Sequence, residues 1–179
     1  MPYPDGLEAV MAKADTSIVR YESPIGWIEI AGSPAGVSEL SFVEPEEARP
    51  GHGKMSSPPA PLPAPLAECL TQLDEYFRGV RTAFAVKLDL RGTAFQTRVW
   101  AELLKVKFGH TTTYKALAAA VGNPASTRAV GGANHRNPVS IIVPCHRVVG
   151  SDGRLTGYGG GLWRKDWLLR HEGHDRLFV

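Results

Sequence analysis

Residues 139–150 read VSIIVPCHRVVG, and no other stretch of the chain restricts its surroundings so tightly. Val139, Ile141, Ile142 and Val143 form a short apolar, β-branched run with the composition of a buried strand or core segment. Pro144 ends the run, because proline has no N–H to donate and fixes its own φ. Cys145, His146 and Arg147 follow at once, and Val148-Val149 resumes the apolar pattern. A fold built on this segment sets a thiol, an imidazole and a guanidinium at the rim of rigid core, the placement a reactive group needs. Each residue alone has an ordinary reading: a cysteine as a small buried hydrophobe, a hydrogen-bonded histidine, a solvated arginine. Their occurrence at three consecutive positions behind a proline favours a site.

The remaining chemistry is sparse. Two cysteines, Cys69 and Cys145, in 179 residues do not make a disulfide framework. Neither lies in a CxxC pair and the six histidines lack HxxxH spacing, so no metal site is expected. No apolar run approaches the roughly 20 residues that span a bilayer. The N-terminal MPYPDGLEAV lacks the basic-then-apolar pattern of a secretory signal, which makes cytoplasmic residence the expectation and a membrane partner unexpected. The net charge of +2 conceals an asymmetry: residues 1–90 carry 7 Lys+Arg against 13 Asp+Glu (−6), residues 91–179 carry 13 against 5 (+8). A basic C-terminal module points to an anionic partner, nucleic acid first among them, with a solvated basic face as the ordinary alternative.

Residues 16–22, 25–31 and 36–43 alternate or are rich in β-branched residues, and Pro24-Ile25-Gly26 and Ser33-Pro34-Ala35-Gly36 supply turns, so an antiparallel meander is predicted. Residues 44–65 are rich in Pro, Gly and Ser and read as a long loop or a disordered excursion, not an element. Leu66, Leu70, Leu73 and Phe77 then share one helical face that ends at Gly79; Cys69 lies beside it and reads as core. Val86 to Leu90 suits a strand. These elements make a small α/β domain over residues 1–90, with a second domain over 91–179.

In the second domain Thr93 and Gln96 form a capping box, and Phe95, Val99, Leu103 and Val106 give the buried stripe of the helix it opens. Thr111 to Thr113 cap a helix from Tyr114 to Val121, closed by Gly122. Asn123 caps a third helix with Pro124 at its first position. Helix, short Gly-containing turn, helix is the helix-turn-helix arrangement. Gly131-Gly132 inside the third helix costs of order 1 kcal/mol per glycine relative to alanine. Either another helix packs closely there or a nucleic-acid backbone approaches. Residues 156–161 (TGYGGG) lack a phosphate-binding fingerprint. Residues 162–171 form a last helix with Trp163, Trp167 and Leu168 as its apolar side, stopped by Gly173. Glu172 stands where a carboxylate opposes the helix dipole, which a cationic or hydrogen-bonding partner would explain.

PCHRVVG resembles the active-site motif of the O6-alkylguanine-DNA alkyltransferases, stand-alone bacterial type, and the segments GNPASTRAVGGANHRNPVSIIVPCHRVVGSDG and TGYGGGLWRKDWLLRHEG resemble that family almost throughout. The likeness covers residues 92–173 with high specificity and the N-terminal half in general layout. It implies a ribonuclease H-like N-terminal sheet with helix and a C-terminal domain of winged helix-turn-helix type. It implies Cys145 as alkyl acceptor, His146 as the base that removes its proton through a water, Glu172 as the group that orients His146, and Tyr114 as proton donor to the departing guanine. Val148, Tyr158 and Gly159 match the base pocket, Val148 and Cys145 through their carbonyls and Gly159 through its N–H. Arg128 matches the residue that enters the base stack when the nucleotide is rotated out. Ala125, Ser126, Ala129, Gly131, Gly132, Asn134 and His135 match the minor-groove recognition helix, and Asn137 the hinge that follows it.

The implied partner is double-stranded DNA carrying O6-alkylguanine, met by a monomer, with clustering along the duplex and activity on O4-methylthymine left open. The implied reaction is direct, irreversible and stoichiometric, with no cofactor. Two departures stand out. Gly159 lacks the small side chain of many relatives. The zinc some relatives hold is not expected where the N-terminal half offers only Cys69 and His52. Three other readings compete: a lesion sensor of the same fold, which would lack the acceptor thiol; a helix-turn-helix regulator with sequence preference; and a cysteine hydrolase that turns over without DNA.

Overall fold

The structure, a computed structural model, describes residues 16–44 and 62–174. Strands β1 (Ser17–Ser23), β2 (Gly26–Ser33) and β3 (Gly36–Val43) form the predicted antiparallel meander in the order β1-β2-β3. Their inward residues Val19, Ile28, Ile30, Val37 and Leu40 are buried. Helix α1 (Ala64–Phe77) covers that face through Leu66, Cys69, Leu73, Tyr76 and Phe77. The helix begins two residues before the expected end of the 44–65 loop, because Pro65 sits in its first turn, where the missing N–H costs nothing. Residues 45–61 of that loop lie outside the described residues.

The free edge of β3 is shared between two segments. Val37 N–H bonds to Lys87 O at 2.9 Å and Val37 O accepts Asp89 N–H at 2.8 Å, while Leu40 N–H reaches Pro138 O at 2.8 Å and Leu40 O accepts Ser140 N–H at 3.0 Å. The expected strand at Val86–Leu90 is therefore a single parallel bridge, Val37 to Leu88. Gly36 makes that approach possible: at φ +150° a Cβ there would lie 2.7 Å from the Leu88 carbonyl carbon.

Helix α2 (Ala94–Leu103) opens with the predicted capping box, Gln96 N–H to Thr93 Oγ1 at 3.3 Å and Thr93 N–H to Gln96 Oε1 at 2.8 Å. Val99, Trp100 and Leu103 form its buried face, with Phe95 and Val106 half-buried. Strand β4 (Thr112–Thr113) leads into α3 (Tyr114–Ala120), capped by Thr113 Oγ1. Asn123 caps a 3-10 turn at Pro124–Ser126, and α4 proper runs Thr127–His135. Trp100 Nε1–H donates to Ala133 O at 2.9 Å and fixes α2 against α4.

The 139–143 run is a buried coil, not a strand. Val139 bridges Leu40, Ile141 turns to φ +70°, and Ile142 N–H closes back on Ser140 O at 2.8 Å. A run that is apolar on both sides is equally at home as strand or coil in a core. A 3-10 turn (Cys145–Arg147) and β5 (Val148–Val149), parallel to β4, follow. Helix α5 (Leu162–His171) is the last described element, followed by Gly173 at φ +93°. Its pattern departs from expectation: Leu162 and Trp163 are 48% and 56% exposed, whereas Lys165 is fully buried. Among the described residues no helix is long and apolar enough to cross a membrane.

Candidate active site

Asn137 sets the path of the 139–147 coil. Its Oδ1 accepts Val139 N–H at 3.1 Å and its Nδ2–H donates to Val143 O at 2.7 Å, so one side chain spans the turn that ends at Pro144. Cys145 N–H bonds to Val143 O at 2.8 Å, and Ile141 holds a left-handed φ, a costly conformation for a β-branched residue that the packing around it enforces. The result is a thiol held at the floor of a cavity of about 260 Å³. Three faces close it. Tyr114 stands at the start of α3; Gly131, Asn134 and His135 come from α4; Tyr158, Gly159 and Gly160 come from the glycine-rich loop. Ser41 and Phe42 of β3 line it as well, so the N-terminal sheet supplies part of the wall. Phe42 packs edge-on to Tyr158 with ring centroids 6.4 Å apart, and the Arg164 guanidinium covers Phe42 at 4.7 Å.

Behind the thiol lies a buried charged cluster. His146 Nε2 meets Glu172 Oε1 at 2.8 Å. The carboxylate also accepts Arg147 Nε–H at 2.8 Å, Arg147 Nη2–H at 2.9 Å and the Tyr76 hydroxyl at 2.8 Å. Burial alone would raise the Glu172 pKa; the hydrogen bonds and charges of His146 and Arg147 overcome it and hold the carboxyl well below the usual carboxylate range. An ionised carboxylate only accepts, so His146 carries its proton on Nε2, and Nδ1 is the basic nitrogen. Nδ1 is buried without a protein hydrogen-bond partner. Burial lowers the His146 pKa from 6.5 against the opposing pull of Glu172, so the ring is neutral at neutral pH. Burial raises the Cys145 thiol, against the Asn137 amide, the Lys165 charge and the Ser140 hydroxyl, each of which favours the thiolate. A protonated thiol followed in the chain by a neutral imidazole with an open basic nitrogen supplies a nucleophile and a candidate base on one turn.

Lys165 pins the loop that carries the pocket wall. Its Nζ donates to Val148 O at 2.5 Å and Thr156 O at 2.6 Å, and burial depresses its pKa to about 8. Of the residues assigned to the base pocket by resemblance, Tyr158 and Gly159 line the cavity; Val148 lies outside the lining, with its carbonyl engaged by Lys165.

Helix α4 serves two surfaces. Gly131, Asn134 and His135, at helical spacing, face the cavity; Ala125 and Ser126 of the preceding turn, with Arg128, Ala129, Gly132 and Arg136, face an open groove of about 750 Å³ bounded by Thr93, Phe95 and Gln96. Arg128, Ala125, Ala129 and His135 are exposed, whereas Asn134 is buried with its Nδ2 3.5 Å from Cys145 O. A Cβ at Gly131 would meet nothing nearer than the Tyr114 ring at 3.9 Å, and at Gly132 only the Arg136 guanidinium at 3.4 Å. Close packing of a neighbouring helix therefore explains neither glycine.

Residue patterning does not single out Tyr76, Lys165 or Phe42, which meet the site from other elements of the chain, or Ser140, a polar residue within the 139–147 coil whose place beside the thiol depends on how that coil turns. Arg147 had a readable signal: it neighbours the His-Cys pair, and Glu172 lacked a cationic partner.

Two family models match the chain: the ribonuclease-like domain of 6-O-methylguanine DNA methyltransferase over residues 19–90, and its DNA binding domain over residues 94–174. The chain belongs to the 6-O-methylguanine DNA methyltransferase family. Similar proteins include the methylated-DNA–protein-cysteine methyltransferase of Mycobacterium leprae, 48% identical over 87% of this chain and 92% of its own length. That of Methanosarcina acetivorans is 44% identical over 86% and 96%. A solved Mycobacterium tuberculosis OGT in complex with DNA superposes with a TM-score of 0.72 at 44% identity, covering 86% of this chain and 90% of that one. The fold is that of these methyltransferases, a small antiparallel sheet with helices joined to a helical DNA-binding module.

Proposed function

We propose that this methyltransferase repairs DNA by moving a methyl or larger alkyl group from O6 of guanine to the sulfur of Cys145, in one irreversible step per protein molecule. The observation that carries the reading is a cysteine at the floor of a base-sized cavity, with a neutral, carboxylate-oriented imidazole behind it and helix α4 forming both the cavity wall and the adjacent open groove.

The groove side of α4 meets the duplex in the minor groove, where Gly132 leaves room for the backbone, while Gly131 keeps the cavity wall open. The damaged nucleotide is rotated out at a cost of a few kcal/mol, and Arg128 takes its place in the stack. The cavity receives the purine between Tyr158 and the Gly159 N–H, with the Cys145 carbonyl facing its edge. His146 Nδ1 takes the thiol proton through a bridging water, and Glu172 stabilises the imidazolium. The thiolate attacks the alkyl carbon, an S–C bond forms as the C–O6 bond breaks, and the electron pair leaves with guanine. Tyr114 gives the departing base a proton and is recharged from the imidazolium. A thioether does not return the group, and the cycle ends there. The protein acts as a monomer, on O6-alkylguanine in double-stranded DNA.

The test is peptide mass spectrometry after incubation with duplex carrying a labelled O6-methylguanine. One methyl per chain on the Cys145 peptide, without turnover, is expected. Repaired DNA with unmodified protein, or hydrolysis of esters without DNA, contradicts the reading.

A further inference from the structure

Tyr76 belongs to α1, in the half of the chain that carries neither the thiol nor the DNA-binding helix, yet its hydroxyl reaches the active-site carboxylate. It is fully buried, and its O–H donates to Glu172 Oε1 at 2.8 Å. The same oxygen meets His146 Nε2 at 2.8 Å. Around the ring the neighbours are aromatic: Phe77, Phe84, Phe108 and His171. Phenylalanine would suit that cage with no hydroxyl to desolvate, so the hydroxyl is explained by its acceptor. The Tyr76 backbone takes part too. Its carbonyl accepts His171 Nε2–H at 2.7 Å, and His171 precedes Glu172 at the end of α5. One residue thus grips the last turn of α5 through its backbone and orients the carboxylate through its side chain.

We propose that Tyr76 is a positioning residue for alkyl transfer: its hydroxyl fixes the Glu172 oxygen that faces His146, so the N-terminal domain sets how readily His146 accepts the Cys145 proton. The proposal rests on the reading of His146 as that acceptor. The charged and titratable groups facing His146 are Glu172 and Lys165 from the α5 segment and Arg147 from its own turn, with Cys145 adjacent in sequence; those facing Glu172 are His146, Arg147 and Tyr76, with Tyr158 of the glycine-rich loop also within reach of its charge. A donor on Oε1 spreads the carboxylate charge over one more hydrogen bond. Arg147 Nη2–H also donates to Oε1, at 2.9 Å, so removing the hydroxyl leaves that oxygen to Arg147 and the imidazolium and strengthens the hold of the ring on a proton.

The experiment measures single-turnover transfer from an O6-methylguanine duplex against pH for the full chain and for Tyr76→Phe, with the His146 ring titrated by NMR in both. The acid limb of the rate and the His146 titration are expected to move together to higher pH by about half a unit or more. In a Glu172→Gln background, Tyr76→Phe is expected to leave the His146 titration in place. A lowered melting temperature with an unmoved acid limb assigns Tyr76 a packing role and overturns the proposal. Should Tyr76→Phe fail to fold, a fluorotyrosine at position 76 keeps the ring and sharpens the donor, and the limb is then expected to move to lower pH; an unmoved limb overturns the proposal. A wild-type limb that does not track His146 removes the assignment of His146 and this proposal with it.

Discussion

A carboxylate at the C-terminal end of a helix faces the negative end of the helix dipole. Glu172 holds that position because donors from α1 and from the 145–147 turn converge on it. Removing it leaves the Arg147 guanidinium buried without its counter-charge, so Glu172→Gln is expected to cost about 3 kcal/mol in denaturant unfolding. It is also expected to slow transfer, since the imidazolium loses its stabiliser. The pH dependence follows from the direction of the His146 shift. Burial puts the folded pKa below 6.5, so His146 stays neutral down to that lowered value. Single-turnover rates are therefore expected to be flat on either side of pH 7 and to fall only on acidification below 6.5. The two cysteines divide cleanly. Cys69 is sealed in the core with its thiol pushed up to about 12 by burial. Cys69→Ala is expected to cost about 1 kcal/mol and leave transfer unchanged, whereas Cys145→Ser should bind duplex and accept nothing.

Helix ends were the most legible feature of the sequence, because a cap is a local transaction between a side chain and the backbone two or three residues on. Thr93 with Gln96, Thr113, and Asn123 with Pro124 all cap where their spacing predicts. Thr93→Ala is expected to lower stability by about 1 kcal/mol without touching the cavity, measured by thermal unfolding. Two elements were not legible. The 139–143 run was open to strand or core segment by composition; its left-handed Ile141 depends on the Asn137 bridge and on β3. Helix α5 hides a lysine and exposes a tryptophan, because two backbone carbonyls await Lys165 and the Arg164 guanidinium covers the Trp163 ring at 4.6 Å. On α4, Arg128 stands on the open groove, away from the thiol. On the proposal that Arg128 fills the place of the rotated-out nucleotide, Arg128→Ala is expected to reduce transfer from duplex DNA by about tenfold or more, while transfer from a free O6-benzylated guanine base stays unchanged.

At the scale of the molecule, acid is expected to destabilise the fold, and the sign is the same for both central groups. His146 and Glu172 each bind a proton less readily folded than unfolded, so the unfolded chain takes up more protons as pH falls. Their contribution is present above about 6.5 and 4.3 respectively and is lost on acidification through those windows, which melting curves against pH will show. The basic half predicts DNA affinity that weakens steeply with salt. The sequence by itself determined that a thiol and an imidazole stand side by side behind a proline, the helix caps and the charge asymmetry, because these are written in contiguous residues or in composition. Only the tertiary structure decided which groups surround the carboxylate and the thiol. Tyr76 lies 96 residues from Glu172, and Phe42 reaches the cavity from the first sheet. Contacts at such separations come from how layers pack, a property of shape and burial that no local pattern of residues encodes.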